Sequence, residues 1–311
     1  MRVSDLGPWS QSPPLRDEVD LERIGAYRGM GEVFTEVVQI AGEHASIAGR
    51  TREGLPLLRV DLPASDPDAP VALVIGGIHA MEFIGVEVVL ALLRQLVQER
   101  RQRRVVVFPL LNPEGYLRVE ADLRAGRRRF LRSNSVGVDL NRNWPTHWRT
   151  TGLPQRVLTF LGSAGTGPLS EPEVATVVEA MAPLARERRL ERALSLHSFG
   201  NKLLVPYGGR WRRPLGSDAH DGLAIEVRGR LRDRYHLTTP SHWVPGLFAY
   251  GMELDHFHAW GADPLLVECS RGGLSLTDPG SWVHPFRWFN PPDPMRHAAE
   301  LAVALTPFLL G

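Results

Sequence analysis

Val71-Ala72-Leu73-Val74-Ile75-Gly76-Gly77-Ile78-His79-Ala80-Met81-Glu82 joins an unbroken apolar run, a double-glycine break, and a histidine and a glutamate three residues apart. Residues 71–75 are apolar throughout, as expected of a strand buried on both faces. If the chain turns after the glycines, His79 and Glu82 both reach one divalent ion. A zinc site built this way takes a third protein ligand from elsewhere and leaves a fourth position for water. Leu194-Ser195-Leu196-His197 offers that ligand at the end of a second apolar run, and Leu265-Leu266-Val267-Glu268 ends a third run in a carboxylate. Three runs ending in metal-competent or acid–base groups predict a sheet whose strand ends converge on one site.

Outward from this stretch, strand and helix patterns alternate. Residues 49–54 read as a hairpin turn with residues 56–60 as the returning strand. Residues 35–44 mix β-branched and small side chains and fit a strand or the edge of a helix. Residues 87–98 carry Val88, Val89, Leu92, Leu93 and Leu96 at a helical period, and residues 104–111 read as another buried strand. Ser170-Glu171-Pro172-Glu173 predicts a helix start with a Ser cap, an early Pro and early acids that suit the helix dipole. Residues 221–235 and 295–309 are helical by period. The alternation implies an open, mixed, mostly parallel α/β sheet with helices on both faces, and ligands in such sheets bind outside the carboxyl ends of the strands. No repeat or linker stands out, so one domain over residues 1–311 is expected, with residues 1–30, polar and Pro-containing, as a surface-wrapping extension.

Composition narrows the function classes. The 311 residues are 43% hydrophobic, enough for a large core, and the net charge is +1, which calls for neither nucleic acid nor a membrane surface as partner. Arg far outnumbers Lys, a habit of composition before it is a function. The single cysteine, Cys269, excludes an intramolecular disulfide. The first residues lack the apolar core of a signal peptide, and no run approaches the roughly 20 residues of a membrane span. The expectation is a cytoplasmic protein.

A second motif is Val138-Asp139-Leu140-Asn141-Arg142-Asn143-Trp144. Adjacent Asn and Arg side chains can grip a carboxylate, because a guanidinium offers a planar two-point fork. Asp139 can accept the free N–H of a metal-bound histidine and fix its tautomer. Ahead of it lie Arg127, Arg128, Arg129 and Arg132, one of which can face a developing oxyanion.

With these motifs in hand, the chain resembles the zinc metallocarboxypeptidases of the pancreatic carboxypeptidase A type, the funnelins. Gly49 to Pro56 is similar to that family's early G-x-S-x-E-G-R-P stretch, Gly76 to Glu82 to its GGIHAREW motif, and Asn112-Pro113-Glu114-Gly115-Tyr116 to NPDGY. Gly137 to Trp144 nearly reproduces GVDLNRNW, Gly167 to Glu173 resembles GPxxFSEPE, and Ser195 to Phe199 resembles xxHSY. Six motifs in the family's order leave little room for chance.

The resemblance implies an eight-stranded twisted sheet and one zinc ion held by His79, Glu82 and His197. It implies Asn141 and Arg142 on the terminal carboxylate of a peptide substrate. It implies Glu268 as the base that deprotonates the zinc-bound water and then as the acid toward the leaving amine. Arg132 is the oxyanion-stabilising arginine, since Arg129-Phe130-Leu131-Arg132-Ser133-Asn134 fits R-x-W-R-K-N. Zinc lowers the pKa of its water from about 15.7 to roughly 7, where a neighbouring carboxylate can act as base. The chain also departs from the family. Met81 stands where an arginine often contributes to an outer subsite. The mobile active-site tyrosine has only Tyr250 as its counterpart, at a shorter spacing from Glu268. The residue at the pocket floor falls at Leu254, which favours an apolar terminal residue, or at Asp255, which favours a basic one. The stretch ahead of the domain is shorter than an inhibitory propeptide, so no secreted zymogen is expected.

Competing readings are an amidase of the same superfamily that cuts cell-wall peptides before a diaminopimelate-like residue, and a non-catalytic carboxylate-binding relative. Asn141 and Arg142 serve either enzyme equally. The other arginines of residues 124–132 read as a solvated basic loop. His256 and His258 read as ordinary polar groups rather than a second metal site. Trp243, Trp260, Trp282 and Trp288 read as packing residues, and Cys269 as an inert buried thiol.

Overall fold

The computed structural model describes residues 1–11, 13–150, 162–232, 234–243, 248–272 and 279–311. The apolar runs do form strands. In chain order they are β1 (Ala45–Arg50), β2 (Pro56–Leu62), β3 (Val71–Gly76), β4 (Arg104–Phe108), β5 (Leu190–His197), β6 (Lys202–Leu204), β7 (His236–Thr238) and β8 (Asp263–Glu268). They make one eight-stranded sheet in the order β1-β2-β4-β3-β5-β8-β6-β7. The central four, β4, β3, β5 and β8, run parallel; β1/β2, β2/β4 and β6/β8 are antiparallel and β6/β7 is parallel.

The main helices are α1 (Met30–Ala41), α2 (Phe83–Leu96), α3 (Pro113–Arg124), α4 (Pro172–Arg186), α5 (Ser217–Arg230), α6 (Glu253–Ala259) and α7 (Pro294–Leu310). The period-2 alternation of β3 divides them between two faces. Ala72 and Val74 join the apolar cluster that holds Val33 and Phe34 of α1, Val89 and Leu93 of α2, and Leu301 and Leu305 of α7. Val71, Leu73 and Ile75 join the cluster of Val174, Val177 and Met181 from α4 and Phe257 from α6. A strand covered on both sides has no polar face to show, which is why its sequence reads apolar at every position. Leu6, Leu15 and Tyr27 also lie in the first cluster, and the Tyr27 hydroxyl donates to the Pro291 carbonyl at 2.6 Å. No helix among the described residues is long and apolar enough to cross a membrane.

One open expectation is settled and one is corrected. Residues 35–41 are the second half of α1, not strand, because Val33, Phe34, Val37, Val38 and Ala41 are the buried stripe of an amphipathic helix starting at Met30. The residue capping α4 is Glu171, not Ser170. Ser170 is occupied elsewhere: its hydroxyl donates to Glu171 Oε1 and accepts from Asn143 Nδ2, each at 2.9 Å. The early Pro172 and Glu173 of that helix stand as the sequence predicts.

Register sets the site. Gly76 pairs with Leu196 across β3/β5, and His197 pairs with Glu268 across β5/β8. The carboxyl ends of three adjacent parallel strands therefore stop at one level. Beyond β3 the chain turns through Gly77, at φ +61°, where a Cβ would lie 2.5 Å from Leu110 Cδ1. That turn brings His79 and Glu82 back over the end of β5.

Candidate metal centre

His79 Nδ1 lies 2.8 Å from Glu82 Oε1, and His197 Nδ1 lies 3.0 Å from Glu82 Oε2. The two Nδ1 atoms face each other at 3.0 Å. All three side chains are buried, and one ligand atom from each falls within 4.8 Å of the others; among the described residues no other such group exists. Two imidazole nitrogens and a carboxylate turned toward one point suit a divalent ion such as zinc. Bare, the arrangement sets two nitrogens against each other with at most one proton to share. His256 Nδ1 bonds Thr146 Oγ1 at 2.9 Å, and its ring sits 4.3 Å from that of Trp260.

Each histidine has a second carboxylate behind it. His79 Nε2 lies 3.1 Å from Asp139 Oδ1, and Asp139 Oδ2 accepts from Arg132 Nε at 2.9 Å. Burial opposes ionisation of Asp139, but Arg132 and His79 overcome it and hold the carboxyl well below the usual range. His197 Nε2 lies 2.8 Å from Glu253 Oε1. Burial disfavours the imidazolium of His197, yet the bonds to Glu253 and Glu82 raise its pKa to about 10. Glu82 also accepts the Ser198 amide at 3.0 Å, and Arg132 Nη1 lies 3.5 Å from its Oε1. Against the cost of burial, the two imidazoles hold Glu82 well below the ordinary range.

A cavity of about 430 Å³ opens on this centre. Its polar lining is His79, Glu82, His197, Arg132, Asn141, Arg142, Ser198 and Glu268. Glu268 is buried, and its Oε2 has no hydrogen-bond partner among the described residues. Burial, then the charge of Glu82, pushes its pKa up to about 8. The Arg142 guanidinium is half-buried; one Nη donates to the Asn141 carbonyl at 2.7 Å, and no carboxylate forms an ion pair with it among the described residues. Asn141 Oδ1 accepts the Glu253 amide at 3.1 Å.

The rest of the lining is apolar. Leu204, Ala249, Met252 and Leu266 pack as one cluster, with Leu254 behind them and outside the lining. Trp243 and Trp288, read from sequence as packing residues, line the cavity as well. Asp255 does not reach it. Its carboxylate accepts the Gly208 and Gly209 amides at 2.8 and 2.9 Å and lies 2.7 Å from His147 Nδ1. Tyr250 lines a neighbouring surface cleft with Tyr207 and Trp211, its ring under the Arg149 guanidinium at 4.3 Å. The arginines ahead of Arg132 serve the surface: Arg127 and Arg129 both pair with Asp122. Glu253 and Met252 carry no motif and were not singled out in the sequence; only the fold brings them to His197 and to the cavity.

Two histidines and a glutamate at the wall of a cavity are the donor set and setting that suit an open, three-ligand zinc site on an α/β sheet. The chain belongs to the zinc carboxypeptidase family, whose profile matches residues 39–246. Carboxypeptidase O of Bos taurus is 30% identical over 225 residues, covering 65% of this chain and 56% of that protein. The chain thus spans about half the length of that curated relative. Carboxypeptidase A from Helicoverpa armigera has the same fold, with a TM-score of 0.72 at 18% identity over 98% of this chain and 80% of that one. Murein-tripeptide amidase MpaA from Escherichia coli O157 gives 0.51 at 18% identity over 84% and 92%. At that identity, both likenesses are of fold alone.

Proposed function

We propose that this chain is a zinc-dependent carboxypeptidase that hydrolyses the C-terminal peptide bond of peptides. The observation that carries the reading is Arg142: a half-buried guanidinium in no ion pair among the described residues, lining the same cavity as the three ligand residues and Glu268. A cation lining a cavity without an ion-pair partner suits an anion, and a guanidinium matches a carboxylate two-point. The Asn141 amide stands beside it.

His79, Glu82 and His197 would hold the ion. Bound zinc supplies Lewis acidity and brings a water within reach of deprotonation near neutral pH. Glu268, on the cavity wall beside the ligand residues with its Oε2 unpartnered among the described residues, would take the water's proton and return it to the departing amine. Arg132, fixed by Asp139, offers its remaining N–H donors to the oxygen that gains charge at the scissile carbonyl. The apolar lining of Leu204, Ala249, Met252 and Leu266 receives the terminal side chain, so the preferred substrates end in a large apolar residue. The reaction is placed in the cytoplasm, where the lone buried thiol of Cys269 needs no oxidising partner. The amidase alternative shares the Asn141–Arg142 pair and has, beyond it, only a likeness of fold behind it.

The test is mass spectrometry of a peptide pool with apolar, basic and acidic termini, together with a diaminopimelate-containing wall peptide, with and without a chelator. Chelator-sensitive loss of single C-terminal residues is expected. Cleavage of the wall peptide alone would replace this reading with the amidase.

A further inference from the structure

We infer that Glu253 is a positioning residue that holds His197 for the metal and, through its own amide, holds Asn141 for the substrate carboxylate. The inference rests on the zinc reading above. Both histidines turn Nδ1 toward Glu82 and Nε2 outward. Outside His79 stands Asp139, a residue legible in the sequence. Outside His197 stands Glu253, whose Oε1 lies 2.8 Å from Nε2 and also accepts from Ser195 Oγ at 3.0 Å. A carboxylate oxygen facing Nε2 is placed to accept a ring N–H there, which leaves Nδ1 to turn its lone pair to an ion at the centre.

The charge balance points the same way. Asp139 is paired with Arg132, but Glu253, wholly buried, forms no ion pair with Lys or Arg among the described residues, Arg142 acting on it only from beyond ion-pair distance, and its Oε2 has no hydrogen-bond partner there. A buried carboxylate in that position is costly unless positive charge stands close by. The imidazole in contact with it is His197, through which the charge of an ion at the centre would reach it. The backbone of the same residue does a second task. Its N–H occupies Asn141 Oδ1 at 3.1 Å, so the group that Asn141 has left for the cavity is its Nδ2 donor. One residue thus joins the metal ligand to the carboxylate grip.

The test is zinc titration of the apo-protein against a chromophoric chelator, with thermal unfolding of each variant as the control for folding. Glu253→Gln keeps the volume and the backbone amide but removes the charge, and it is expected to weaken zinc binding by about 10- to 100-fold. Glu268→Gln should leave zinc affinity unchanged. With saturating zinc, Glu253→Gln should keep the KM of wild type, because its amide still holds Asn141; a general structural lesion would not divide the two quantities in this way. Zinc affinity equal to wild type in a folded Glu253→Gln overturns the proposal. If that variant does not fold, nitrogen NMR of the zinc-loaded wild type decides: His197 must be metallated at Nδ1 and protonated at Nε2, and the opposite tautomer overturns the proposal. Wild-type protein that binds no zinc overturns the zinc reading itself and this inference with it.

Discussion

Asp255 Oδ2 lies 2.7 Å from His147 Nδ1 while Oδ1 accepts the Gly208 amide, so the one carboxylate placed by sequence near the pocket floor is spent on holding a loop. Among the described residues, nothing at the apolar end of the cavity answers a terminal lysine or arginine. Peptides ending in Phe or Leu should therefore exceed those ending in Lys in kcat/KM by about 10- to 200-fold, the range an apolar pocket supplies. Asp255→Asn should leave that order intact and cost about 1–3 kcal/mol of stability through the disturbed loop bonds. A variant that gains basic-residue preference, or loses apolar preference, would contradict this assignment.

Glu268→Gln should cut kcat by about 10²- to 10⁴-fold, the usual contribution of a general acid–base. Metal analysis should still find one zinc per chain, because Glu268 is not among the ligands.

Arg142→Ala should lower kcat/KM for peptides with a free terminal carboxylate by about 10- to 150-fold, the equivalent of a charge-assisted hydrogen bond. C-terminally amidated peptides should be poor substrates of wild type and variant alike. An equal loss on both kinds of peptide would mean that Arg142 does not read the carboxylate.

Much of this site can be read in the chain before it is folded. His79, His197 and Glu268 sit at the ends of apolar runs, and a strand buried on both faces announces itself by the absence of polar residues. Asp139, Asn141 and Arg142 lie in one short motif. The pocket floor is different in kind. Leu204, Ala249 with Met252, and Leu266 come from three places in the chain and meet only through the packing of β6, β8 and the start of α6. Helical phase decides which of Met252, Leu254 and Asp255 faces the cavity, and that phase is fixed by partners such as the Gly208 and Gly209 amides, far away in sequence. Tyr250 precedes the helix in a turn, where spacing to Glu268 says little about direction.

Glu173, in the first turn of α4, provides a test that does not involve turnover. It is fully buried, and neither carboxylate oxygen has a hydrogen-bond partner among the described residues. Burial, with the nearby charges of Glu114 and Glu171, raises its pKa to about 7. An acid with a raised folded pKa binds more protons folded than unfolded between its two pKa values. Its contribution is therefore most favourable below the unfolded value and is lost as pH rises toward about 7, a difference of about 3 kcal/mol at most. Glu173→Gln should match wild type near pH 4.5 and be the more stable protein at pH 8 by about 1–3 kcal/mol, once the unpaired amide is counted. Chemical unfolding of both proteins across this range checks it; parallel curves would mean that Glu173 is ionised throughout.

Met252, Glu253 and Leu254 follow one another at the start of α6, yet the first lines the cavity, the second bonds His197 and the third backs the apolar floor. A protein engineer who reshapes this floor to widen the substrate range therefore works one peptide bond from the support of the metal. Substrate choice and cofactor retention are not independent dials in this segment. Leu204 and Leu266, on β6 and β8, are the places to retune the first while leaving the second alone.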